Sequence, residues 1–220
     1  MTDILARAKS EIAAQATATQ VTGNRFVDLL EAGAVPPERL RWLAGELYRL
    51  VVSDQRSQAL LAARFPAAPA GDLFLALAQG EAEALRLLTH FASAVGMGEA
   101  DLAAHEPVPL AQAYPAYLTQ IAVHGTSSAM ALALLANVEE SGGTYARVAA
   151  ALRSRYGLSE KAVGHFLYFA ETPPELLGQA AAVLAAGLAN GEDADEAVRS
   201  ARVVSALETA FWDALADGLA

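Results

Sequence analysis

Apolar residues recur three and four positions apart along nearly the whole chain, and no segment alternates apolar and polar over a strand's length. The pattern predicts helices throughout, built from the helix formers Ala, Leu, Glu and Arg. A first helix is expected over residues 2–18 and a short one over 24–31, ended by Gly33. Pro36 and Pro37 stand where proline suits a first turn, and the helix they open runs over 37–64 to the stop at Phe65-Pro66. A fourth helix covers 72–95 and ends at Gly96 and Gly98; residues 102–109 read as a loop holding His105. A long helix follows over 110–140, with Pro115 near its start and Ser141-Gly142-Gly143 as its break. Further helices are expected over 144–156, 159–171, 174–189 and 193–219, the last opened by Asp193-Ala194-Asp195-Glu196, whose acids suit a helix N-terminus. The longest, at about 25 to 30 residues, would extend about 40 Å. No composition shift or internal repeat divides the chain, so one all-α domain over 1–220, a helical bundle, is predicted.

Composition narrows the picture further. Hydrophobic residues make up 54% of the 220 and charged residues 18%, which excludes a disordered chain and supplies a core that needs no staples. The absence of cysteine excludes a disulfide scaffold, a thiolate metal site and a cysteine nucleophile. A formal charge of −10 speaks against nucleic acid as a partner. The N-terminus has no signal-peptide pattern, and no apolar run reaches the roughly 18 to 20 residues that span a bilayer, so a cytoplasmic protein without a membrane partner is expected. The low charged fraction leaves apolar surface to cover, which predicts a homodimer or homotetramer.

Several carboxylates fall where they could face a bundle interior. Glu139 and Glu140 precede the Ser141-Gly142-Gly143 stretch, Glu46 and Tyr48 lie in the apolar stretch 42–52, and Glu208 shares a helix face with Phe211 and Trp212. A buried, unpaired carboxylate has a raised pKa, which suits a general acid or base; the plainer reading of any one of them is a solvated helix face. The histidines are His90, His105, His124 and His165. Glu83 and His90 share a face, but the Glu-x-x-His pair of a bundle metal site is absent, and Pro173-Pro174 separates Glu171 from Glu175. No metal and no cofactor are therefore expected. Tyrosines beside interior carboxylates would make a pocket for a flat, hydrogen-bonding ring, although aromatics at helical spacing are more often core. Phosphate loops, a nucleophile elbow and a metalloprotease helix are not visible.

Three stretches carry a family resemblance: Phe26 to Gly33 followed by 37–48; Ala113-Tyr114-Pro115-Ala116-Tyr117-Leu118 running on to Gly125 and Leu134-Leu135; and Glu208-Thr209-Ala210-Phe211-Trp212-Asp213-Ala214. In order and spacing the chain resembles the TenA/thiaminase II family, within the haem-oxygenase-like superfamily that also holds PqqC. The resemblance spans nearly the whole chain and implies a bundle of about seven or more helices around a central pocket. It implies a pocket for an aminopyrimidine and a hydrolytic step that releases an amine or cleaves thiamine. It puts the family's pocket aspartate on Glu46, a neighbouring tyrosine on Arg49 beside Tyr48, and further pocket tyrosines on Tyr114, Tyr145 and Tyr168 or Phe169. The family's catalytic glutamate falls on Glu208 and its catalytic cysteine on Asn137. An asparagine is no nucleophile, so the resemblance implies a cysteine-independent route, with Glu208 and Glu139 or Glu140 activating water. Arg49 in a tyrosine's place implies an anionic group on the ligand or a changed substrate. Two other readings stand beside this one: a diverged oxygen- or metal-dependent enzyme of secondary metabolism, for which Glu83, His90 and Glu139 are the available ligands, and a ligand-binding or regulatory protein without turnover.

Overall fold

A computed structural model describes residues 2–19 and 23–219. Among these residues ten helices run in order: α1 (Thr2–Ala18), α2 (Arg25–Glu31), α3 (Pro37–Arg64), α4 (Ala70–Ala94), α5 (Glu99–Ala104), α6 (Ala113–His124), α7 (Ser127–Tyr156), α8 (Gly164–Ala170), α9 (Pro174–Ala189) and α10 (Ala194–Ala216). Among the described residues there is no strand. The helix ends follow local chemistry. Asn24 caps α2 by accepting from the Val27 N–H, Pro37 opens α3, and Asp193 caps α10 by accepting from the N–H groups of Asp195 and Glu196.

The long helices break elsewhere than expected. The chain passes through Ser141-Gly142-Gly143 as unbroken α7 and divides instead at Gly125, where Thr126 caps α7 by accepting from the Ala129 N–H. Glu192, from the turn before α10, completes that start: its carboxylate accepts from the Ser128 N–H at 2.7 Å and the Ser127 hydroxyl at 2.9 Å. Gly142 serves packing here. A Cβ on it would lie 3.0 Å from the Ala170 carbonyl oxygen, so the missing side chain lets the end of α8 close against α7. Two smaller differences follow the same local rules. Residues 99–104 form the short α5, and α8 begins only at Gly164, after a turn in which the Ala162 N–H donates to the Ser159 hydroxyl.

Helices α3 and α4 pack side by side, and α7 runs through the molecule against α2, α8, α9 and α10. Two buried clusters result. One gathers Phe26, Leu43, Leu47, Phe91, Phe166, Phe211 and Trp212; the other gathers Leu61, Phe74, Ile121, Leu132, Leu184 and Val204. The face of α3 that carries Leu47, Leu50, Val51 and Leu61 also carries Asp54 and Gln58, and the face of α4 that carries Phe74, Leu77 and Leu88 also carries Glu81. Those polar residues open into the space between the clusters. No described helix is long and apolar enough to cross a membrane.

Candidate functional site

A cavity of about 640 Å³ lies at the seam of the two clusters, lined from α3, α4 and α6 to α10. That volume suits a small organic ligand. Four carboxylates reach its wall: Asp54 from α3, Glu81 from α4, Glu208 from α10 and, exposed at its edge after α8, Glu171. Tyr114, Tyr145 and Tyr168 add phenols, and Leu50, Leu77, Phe169, Phe211 and Trp212 supply apolar surface. No Lys, Arg or His lies among the lining residues.

The acids feel that setting. Burial pushes the Glu208 carboxyl up to about 7; the Ser141 hydroxyl acts against the rise and the charge of Glu140 adds to it. Burial pushes Glu81 up to about 8. Asp54 is raised well above the ordinary carboxylate range by burial, then by the charges of Glu81 and Glu208. Burial beside these acids also holds Tyr114 and Tyr145 as neutral phenols, able to donate. A folded state that keeps a proton on Glu81 loses stability as pH climbs from the ordinary glutamate range, near 4.5, through about 8. Glu81→Gln removes that loss. Its melting temperature should exceed the parent's by a margin worth about 2–4 kcal/mol at pH 8 and close to nothing at pH 5. Melts that shift equally at both pH values would show that Glu81 ionises freely.

Of the residues expected at a pocket, Glu208, Tyr114, Asn137, Tyr145 and Tyr168 line the cavity. Asn137 donates its amide to the carbonyl oxygens of Ala133 at 2.8 Å and Ala201 at 3.3 Å. With Nδ2 so engaged, its remaining polar atom is Oδ1, an acceptor. Glu46, Tyr48, Arg49, Glu139 and Glu140 stand outside the lining. Glu46 is fully buried and spent on the chain itself. Its Oε1 accepts from the Val108 N–H at 2.6 Å and lies 2.9 Å from His105 Nε2, while Oε2 takes the Gln112 amide. The Arg49 guanidinium donates to the His105 carbonyl, so it tethers the same 105–112 segment and is not spare for an anionic ligand. Gly45 leaves the space for this: a Cβ there would collide with the His105 ring. Tyr48 packs on the first cluster, and Glu139 is exposed beside Lys9. Glu140 is exposed and touches the site only through its charge on Glu208.

The candidate metal ligands are dispersed. Glu83 pairs with Arg86 on the surface, and among the described residues no three of His, Cys, Asp and Glu converge as a metal site would require. His165 is buried against the Ala84 carbonyl, and its pKa is pushed down to about 4 by burial. The residues missed by the sequence reading, Asp54, Glu81 and Gln58, answer to the criterion that singled out Glu208. Each shares its helix face with bulky apolar side chains.

A family model described as the TENA/THI-4/PQQC family matches residues 14–218. No curated protein matches the chain. Among solved structures, a domain of unknown function with a haem-oxygenase-like fold from Shewanella denitrificans OS217 superposes with a TM-score of 0.78 at 17% identity, covering 96% of this chain and 91% of that one. A TenA homologue from P. horikoshii OT3 gives 0.67 at 19%, covering 97% of each. A TenA family transcription regulator from Silicibacter sp. TM1040 gives 0.69 at 17%, covering 96% of each. The fold is thus the all-α haem-oxygenase-like bundle.

Proposed function

The chain belongs to the TENA/THI-4/PQQC family, and within it we propose a cysteine-independent hydrolase that cleaves a C–N bond of an aminopyrimidine or related nitrogen heterocycle. The observation that carries this reading is Glu208: a carboxyl in the wall of an apolar cavity, raised to about 7, in a chain with no cysteine. Near neutral pH such a group is populated in both protonation states, as a residue that must take and then return a proton requires. Ionised Glu208 draws a proton from water while the water oxygen bonds to the carbon bearing the departing amine. The electrons of the C–N bond pass to nitrogen, and Glu208 returns the proton to it. Ser141 orients the carboxylate, Asn137 Oδ1 accepts a hydrogen bond from the ring or its amino group, and Trp212 and Phe169 supply faces for stacking. Trp42 lies outside the cavity, exposed with the Arg39 guanidinium 4.1 Å above it, so ligand quenching of fluorescence would report through Trp212. The low charged fraction, 18% of the chain, supports assembly into a homodimer or homotetramer.

The test is an assay of amine or ammonia release from a panel of aminopyrimidines and thiamine, with metal chelated. Turnover of at least one member, with an acidic limb near pH 7, is expected. Binding of the panel without release from any member would leave a ligand-binding protein in place of a hydrolase.

A further inference from the structure

Two further acids of the cavity, Asp54 and Glu81, have no part in the hydrolytic step. Asp54 is 6% exposed and Gln58 8%, and both line the cavity. Asp54 Oδ1, Glu81 Oε2 and Gln58 Oε1 are buried and have no hydrogen-bond partner. Three unpartnered acceptors in one wall call for a donor from outside the chain, since buried oxygens are ordinarily paired. Two carboxylates in one apolar recess also call for positive charge, since they cannot both ionise without it, and among the described residues no basic side chain lines the cavity. We infer that the ligand is dibasic: an ammonium or amidinium nitrogen sits against Asp54, Glu81 and Gln58 on the α3–α4 wall, while the departing nitrogen faces Glu208 on the α7–α10 wall. The second half of that statement rests on the hydrolase reading; the first does not.

The donor set favours an organic cation over a metal ion. Asp54, Glu81 and Glu208 do not converge as metal ligands do, whereas a planar amidinium or a three-donor ammonium bridges more widely spaced oxygens. Room is not limiting, for about 640 Å³ exceeds what a single small ring fills. The other titratable groups facing the cavity are Glu208 from α10, Glu171 after α8, Tyr114 from α6 and Tyr145 from α7, with the Tyr168 hydroxyl near Gly80 beside Glu81. None is cationic. The incoming cation therefore replaces a proton that the acid pair otherwise holds, and anionic ligands such as phosphate esters are repelled.

Calorimetric titration of the intact protein with 4-(aminomethyl)benzamidine, benzylamine and benzyl phosphate tests this. The dibasic probe should bind at least about tenfold tighter than benzylamine, the gain of a charge-assisted contact. Repeating the titration at pH 7 in two buffers of different ionisation enthalpy should show about one proton released per probe. Benzyl phosphate should not bind. Glu81→Gln and Asp54→Asn should each weaken the dibasic probe more than benzylamine and bring the two amines to within about threefold of one another. Each variant removes a buried carboxylate, so both are expected to fold, and a thermal melt checks it. Equal affinities in the parent, a preference that survives both variants, or magnesium or manganese binding lost in the same variants would overturn the inference. Preference for the dibasic probe in a protein that turns nothing over would overturn the hydrolase reading alone.

Discussion

A Glu208→Gln protein should fold and bind ligand as the parent does, and turn over about a hundredfold more slowly or worse. Glutamine keeps the volume and the helix preference of glutamate and removes the titrating group. That change costs a general acid or base its role, on the usual scale of about 10²–10⁴. The position makes the result informative. Glu208 stands on the face of α10 that carries Phe211 and Trp212, and its carboxyl is raised to about 7 by burial. Loss of the proton acceptor also flattens the acidic limb of the pH–rate profile, which a change of packing alone would leave in place. Unchanged turnover in Glu208→Gln would retire this residue as the catalyst. Glu139→Gln is the companion measurement: its carboxylate is exposed beside Lys9, so activity should stay within about twofold of the parent.

A Glu46→Ala protein should lose about 3 kcal/mol of stability, or about 6–12 °C in melting temperature for a chain of this size. The substitution leaves the Val108 N–H, the His105 ring and the Gln112 amide without their acceptor in a buried place, and such orphaned groups cost more than the bond itself contributes. Gly45→Ala should act on the same contact from the other side, by pushing the His105 ring away. For either protein, ligand affinity measured below the lowered melting temperature should match the parent. A Glu46→Ala protein that melts normally but loses ligand would make Glu46 a pocket residue after all.

The helical class and the all-α bundle were legible because they depend on spacing within short stretches. The break in the long helices was not. Ser141-Gly142-Gly143 has the composition of a stop, yet Gly142 is there for the Ala170 carbonyl, a contact across 28 positions of chain that no local pattern reveals. Glu208 was legible through Phe211 and Trp212. Asp54 was hidden by its immediate neighbours, Ser53, Gln55 and Arg56, although Leu47, Leu50 and Leu61 on the same face mark it as inward. The hardest distinction was between Glu46 and Asp54. Both are buried acids of α3, eight positions apart. What separates them lies opposite: the 105–112 segment folds onto one and satisfies it, while the other meets only the open seam. Burial of an acid can be read from its own helix; satisfaction of that acid depends on a segment some sixty positions away.

The placing of the cavity at the seam of two cores has a consequence for how such a scaffold can diversify. Neither cluster depends on the pocket's polar side chains for its own burial, because the side chains that fill each cluster are apolar and lie to either side. Asp54, Gln58, Glu81 and Asn137 can each be exchanged in a lineage without reopening a core. The Glu46 tether, by contrast, must be inherited whole. The polar wall can thus be rewritten on its own, while Phe211 and Trp212, which fill the first cluster and also line the cavity, tie its apolar surface to the core.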